Sequence, residues 1–195
     1  MRACLIPRLP CVLICVFCAF CLAACVLPVR PARGDPAESA PPPLRVAPAL
    51  LGERVVEQRL VIRWPGGERG ADAVLEIGKD RLRLVMLAFG IRLMSLEYDG
   101  EMFSEQRFVP HAPDGRRVLN DLLLIVTPLE NLRRALPSGA HVTERRVDGK
   151  LRREIAGGEA VKTVIDYETE SPWRGKVAFR HIPPDYELFL ESHEL

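Results

Sequence analysis

The sequence predicts a mainly β domain: a curled antiparallel sheet forming a half-open β-barrel, with one helical insertion of two short helices covering it. Three observations carry this. Segments of charged and apolar residues alternate with the period of a strand that has one wet face, as in Arg81-Leu82-Arg83-Leu84-Val85-Met86. Turn signals recur between them: Pro65-Gly66-Gly67, Gly78-Lys79-Asp80, Asp99-Gly100, Asp148-Gly149 and Pro183-Pro184. Midway the apolar spacing changes to fours and threes over Val118, Leu122, Ile125, Leu129, Leu132 and Leu136, which is one helix face.

Before the first turn, Val55 to Trp64 is rich in β-branched and long apolar residues. Ala71 to Ile77, Arg81 to Met86, Arg92 to Tyr98 and Met102 to Val109 follow as strands. Pro128 cannot sit inside a helix without breaking it, so the periodic segment divides into helices over Arg116 to Val126 and Pro128 to Leu136. Thr127 then reads as an N-cap and Glu130 as the reciprocal member of a capping box. Strands resume over His141 to Val147, Lys150 to Ile155, Val161 to Glu168, Trp173 to Ile182 and Tyr186 to Ser192. About ten short strands around one helical insertion suit a sheet curled over its helices.

The chain begins differently. All six cysteines lie within residues 1–25, spaced by Val, Phe, Ala, Leu and Ile. Cysteines crowded into one apolar run close no loop, and no histidine precedes His111 to share a metal. As small hydrophobes they suit a secretory signal. Arg2 and Arg8 give it a positive start, and Leu9 to Cys21 is too short for a comfortable membrane span. It ends in Leu22-Ala23-Ala24-Cys25, which resembles the lipobox of bacterial lipoproteins. That resemblance implies removal of residues 1–24 and a covalent lipid on Cys25, with no other cofactor. Val26, where inner-membrane retention signals often carry Asp, favours the periplasmic face of the outer membrane.

Residues 25–49 read as a tether, because Pro28, Pro31, Pro36, Pro41, Pro42, Pro43 and Pro48 stiffen and extend a stretch poor in bulky apolar residues. Residues 50–195 form the single domain. Of 27 basic and 26 acidic residues, only Arg2 and Arg8 fall in the signal, so the remaining 171 residues are nearly neutral. A mixed surface gives no electrostatic case for nucleic acid.

A search for chemistry finds no His-Glu-x-x-His, Gly-x-Ser-x-Gly or phosphate-binding glycine loop. No nucleophile with an adjacent base stands out, so the chain is not read as an enzyme. His181, in phase with Val177 and Phe179, reads as a hydrogen-bonded structural histidine, and Asp166, Glu168 and Glu170 as a solvated face. The stronger signal is apolar. Leu82, Leu84 and Met86 share a face, as do Met94, Leu96 and Tyr98, then Val161, Thr163, Ile165 and Tyr167, then Tyr186, Leu188 and Leu190. Such residues either fill a core or line a cavity for an apolar ligand. The cavity reading picks Leu84, Met86, Leu96, Ile165 and Leu188. The hairpin tip Leu87-Ala88-Phe89-Gly90-Ile91 is unusual because tips normally face water. It either tucks under the helices or reaches for a membrane or partner.

Lipobox, Pro-rich spacer, strands, Leu-rich helical pair and the closing Trp173-Arg174-Gly175-Lys176-Val177 together resemble the bacterial lipoprotein family named domain of unknown function (DUF) 3261. More distantly the order of elements is similar to LolB, the outer-membrane lipoprotein that receives lipoproteins from the carrier LolA. This likeness implies a LolA/LolB-like fold with an acyl-chain cavity and, as a partner, a periplasmic LolA-like carrier. It also implies a membrane-contacting role for Phe89, which stands where LolB has a leucine. The DUF3261 family often accompanies aryl-polyene or related lipid biosynthesis genes, which implies a polyene lipid as alternative cargo. The expected function is therefore binding and transfer of an apolar cargo. The competing expectation is a non-catalytic assembly lipoprotein of an envelope complex.

Overall fold

The computed structural model describes residues 42–158, 160–182 and 186–195. The signal, Cys25 and the first part of the tether lie outside the described residues. Ten strands form one antiparallel sheet: β1 (Arg54–Trp64), β2 (Gly67–Ile77), β3 (Leu82–Ala88), β4 (Ile91–Tyr98), β5 (Phe103–Arg107), β6 (Ala140–Val147), β7 (Lys150–Gly157), β8 (Ala160–Tyr167), β9 (Gly175–His181) and β10 (Glu187–Glu194). Their order is β5-β4-β3-β2-β1-β10-β9-β8-β7-β6. The two halves are therefore meanders, joined where the first and last strands pair from Val56↔Glu194 to Arg63↔Glu187. β5 and β6 are the open edges, so the sheet curls without closing into a barrel.

One face of this sheet is apolar and buried. It carries Leu75 and Ile77, then Leu82, Leu84 and Met86, then Met94, Leu96 and Tyr98, then Ile165 and Tyr167, Val177 and Phe179, and Leu190. The inward sets expected from alternation lie on it, apart from Val161, whose side chain is outside the described residues. The opposite face is wet and cross-linked by surface pairs such as Arg63–Glu68 and Arg83–Glu97. Arg152 and Arg180 both bond Asp166, so that carboxylate belongs to the solvated face as its sequence context indicates.

Helices α1 (Gly115–Val126) and α2 (Leu129–Ala135) link β5 to β6. Asp114 starts α1 by accepting from the amides of Arg116 and Arg117. Leu119, Leu122, Leu123, Ile125 and Val126 bury its apolar side, and Leu132 is buried on α2. The expected capping box does not form. Thr127 ends α1 in an extended conformation, as a residue before proline is pushed to do, and α2 starts only at Leu129. The amides of Asn131 and Leu132 instead run to the Pro128 carbonyl. Thr127 Oγ1 is left buried without a hydrogen-bond partner among the described residues.

The tether also ends earlier than composition indicates. From residue 42 the chain is fastened to the domain: Asn120 donates to the Pro42 carbonyl and accepts from Leu44 N. Tyr98 OH donates to the Leu44 and Gly100 carbonyls and accepts from Val46 N. Val46 and Leu51 are buried. A few apolar side chains with slots to fill suffice to fold a proline-rich strap.

Candidate functional site

Between the concave face and α1 lies a cavity of about 380 Å³. Its walls are Leu60 and Ile62 of β1, Leu84 and Met86 of β3, Leu188 and Leu190 of β10, and Val118, Leu122 and Ile125 of α1. Antiparallel register explains why these meet: Leu60 pairs with Leu190, and Ile62 with Leu188, so strands distant in sequence present the same parity side by side. Of the five residues read from the sequence as cavity lining, Leu84, Met86 and Leu188 line it. Leu96 and Ile165 face the same side but are fully buried in the core and are not among the lining residues. Alternation fixes the face of a residue, whereas the position of α1 decides which stretch of that face stays uncovered.

Exposure of the lining rises along β1 from Gln58 at 4% and Leu60 at 7% to Trp64 at 40%, so we take the mouth to be at the end where Trp64 ends β1 and Tyr186 precedes β10. The β1–β2 and β3–β4 hairpins turn at this end. Phe89 and Gly90 form the two-residue tip of the second, with φ of 52° and 75°. Both are left-handed, as a type I′ turn requires, and glycine or asparagine suits the first position far better than phenylalanine. Phe89 is 101% exposed and touches neither helix, and Ile91 beside it is exposed too. The register shifts between Met86 and Leu87 across to Arg92, leaving Leu93 as an extra residue. This bulge lies outside the Met86–Met94 pair, so the inward set keeps its phase.

A polar cluster that the sequence reading missed sits at the mouth. Tyr186 OH donates to Asp121 Oδ2. His181 Nε2 lies 3.2 Å from Tyr186 OH and 3.5 Å from Asp121 Oδ1, and its Nδ1 lies 3.1 Å from Thr163 Oγ1. With the phenol proton on Asp121, the consistent arrangement has Nε2–H donating and Nδ1 accepting from Thr163. The Arg117 guanidinium covers the Tyr186 ring at 4.8 Å. Asp121, on the cavity side of α1, is only 7% exposed. Of the two hydroxyls beside the imidazole, Tyr186 lines the cavity, whereas Thr163 is 3% exposed and is not among the lining residues. The cluster therefore ties α1 to β8, β9 and the start of β10. Inward parity of His181 was legible; its partners come from α1 and from a residue five positions later, which no local pattern connects.

Burial pushes all three phenols up, Tyr186 further through the Asp121 charge. A raised pKa means the folded state holds the proton more tightly than the unfolded chain. The resulting stability is complete below the ordinary phenol value of 10.0 and is lost as pH rises from there toward the folded pKa. Urea midpoints are expected to hold through pH 9 and fall steeply above pH 10. A midpoint unchanged to pH 11 would contradict the placement of these side chains.

A family model described as "Protein of unknown function (DUF3261)" matches residues 55–194. A search of curated proteins gives no match. Among solved structures, a DUF1329 family protein from Desulfovibrio piger is similar at 10% identity, covering 78% of this chain and 92% of its own, with a TM-score of 0.32. MucB is similar at 15% identity and a TM-score of 0.39, covering 76% of this chain and 54% of its own length, so the present chain spans about half of MucB.

Proposed function

We propose that this chain, which belongs to the DUF3261 family, is an outer-membrane lipoprotein, anchored through lipid on Cys25, that binds an apolar chain and passes it on in the periplasm. The cavity carries the reading: a mostly apolar space of about 380 Å³, open at one end, falls within the size range of ligand sites. Each methylene moved from water into it contributes about 0.8 kcal/mol. A bilayer offers the same gain, so exchange with a membrane is nearly neutral and cargo is handed over rather than trapped. A periplasmic carrier of the LolA kind is the proposed donor, and a lipid, a lipoprotein acyl chain or a polyene lipid the proposed cargo.

Phe89 supports delivery. Its side chain gains nothing from the fold, and its backbone sits in a region that costs a non-glycine residue about 1–2 kcal/mol. Inserting one phenylalanine into an apolar phase returns roughly 1.5–3 kcal/mol, enough for a passing contact. The variant Phe89→Asn is expected to melt at or above the parent temperature, because asparagine tolerates the left-handed turn. It should bind a fluorescent fatty acid as the parent does and transfer it to liposomes several-fold more slowly. Parental transfer rates in this variant would remove Phe89 from the proposal.

A further inference from the structure

Among the cavity's aliphatic walls stands one side-chain amide, Gln58, of which the fold uses only one end. The inward residues of β1 are Val56, Gln58, Leu60 and Ile62, three aliphatic side chains and one amide. Gln58 is 4% exposed and lines the cavity. Its Nε2 donates to Ser192 Oγ of the paired strand at 3.1 Å, while its Oε1 makes no hydrogen bond to any described residue. Its other cross-strand neighbour is Ala73, also a cavity residue, whose small side chain leaves space beside the amide.

Thr127 Oγ1 is the one fully buried side-chain polar atom without a partner among the described residues, so the unpaired Gln58 oxygen keeps access to the cavity. The Gln58–Ser192 bond occupies one end of the amide and satisfies the hydroxyl of Ser192, which is 1% exposed, and leaves the other end unassigned. The unmet atom faces the place where cargo would lie. Trp64, at the mouth, is six residues further along β1, or about 20 Å at the rise of an extended strand. The site thus has polar groups at both ends, Gln58 inside and the Tyr186–Asp121 cluster outside, with aliphatic walls between.

We infer that the cargo is not a plain hydrocarbon tail but an apolar chain carrying a hydroxyl near its buried end, held by Gln58. A hydroxyl both donates and accepts, so it satisfies the amide whichever of its two ends faces the cavity, which a carbonyl or ether oxygen does not. This inference rests on the cavity being a cargo site and adds what the cargo must present there.

The test offers the full chain an equimolar mixture of hexadecanoic acid and 16-hydroxyhexadecanoic acid and reads the retained mass by native mass spectrometry. The parent is expected to retain the hydroxy acid in about tenfold excess, the size of one well-made buried hydrogen bond. Gln58→Leu, and the closer-shaped Gln58→Met, should reverse the preference toward hexadecanoic acid while staying folded, melting several degrees below the parent because the Ser192 hydroxyl loses its partner. The isomer 2-hydroxyhexadecanoic acid, with its hydroxyl beside the carboxyl, should gain nothing over hexadecanoic acid. Equal retention of the first two acids by the parent, or an unchanged preference in both Gln58 variants, would overturn the inference while leaving the cavity a cargo site. Retention of no acid by any of the proteins would remove the cargo site itself, and the inference with it.

Discussion

Replacing Arg153 with alanine is expected to destabilise the fold more than removal of any surface charge, lowering the melting temperature by about 10 °C. Arg153 is 5% exposed on the concave face of β7. Its Nη1 donates to the Leu124 and Ile125 carbonyls at 2.6 and 3.2 Å, and its Nε donates to Glu144 at 2.8 Å. Tyr167 OH donates to the same Ile125 carbonyl at 2.7 Å. These groups answer the orphan carbonyls at the end of α1 and fix the helix against the sheet. Truncation leaves the carbonyls short of a donor and Glu144 short of its partner. Breaking a buried pair from one side costs about 3–5 kcal/mol, and in a domain of this size each kcal/mol moves melting by about 2–4 °C. The double variant Arg153→Met, Glu144→Leu should recover most of the loss, because neither charge is then stranded. Thermal melting followed by circular dichroism decides, and a shift under about 3 °C for Arg153→Ala would show that the helix end is held by other means.

Filling the cavity has the opposite signature, a large loss of binding with little loss of stability. Leu188 lines the space from β10 and is only partly buried, so a larger side chain there grows into the void. Leu188→Trp should melt within a few degrees of the parent and bind a fluorescent fatty acid at least tenfold more weakly. Overpacking a filled core instead costs about 1–3 kcal/mol. A variant that melts well below the parent and binds as before would mean that Leu188 abuts core and that cargo lies elsewhere.

Periodicity carried most of the fold. Two-residue alternation placed Leu84, Met86, Leu96, Ile165 and Leu188 on one face, and that is where they are. It did not separate lining from core: Leu84 and Leu188 line the space facing α1, whereas Leu96 and Ile165 on the same face are fully packed, and where packing stops is a tertiary fact. Gln58 shows the opposite failure. It stands at inward parity among Val56, Leu60 and Ile62, so a polar residue in an apolar phase is visible in the sequence, but only the structure shows the cavity beside it. Thr127 stands one position outside the cap because Pro128 is itself extended, with ψ of 143°, and α2 begins at Leu129; its sequence context, extended before a proline, fits a cap equally well. Phe89 was legible as anomalous from composition alone. Its exposure followed from the two-residue turn, which leaves the side chain nowhere to fold back.

The central claim is that the space under α1 holds cargo. It is read by native mass spectrometry of the full chain isolated from cells that express it, parent beside Leu188→Trp. A non-covalent apolar molecule is expected at about one per chain in the parent and is expected to be lost in the variant. A parent that carries nothing, and that also fails to retain added fatty acid, would overturn the cargo site and favour the competing assembly role.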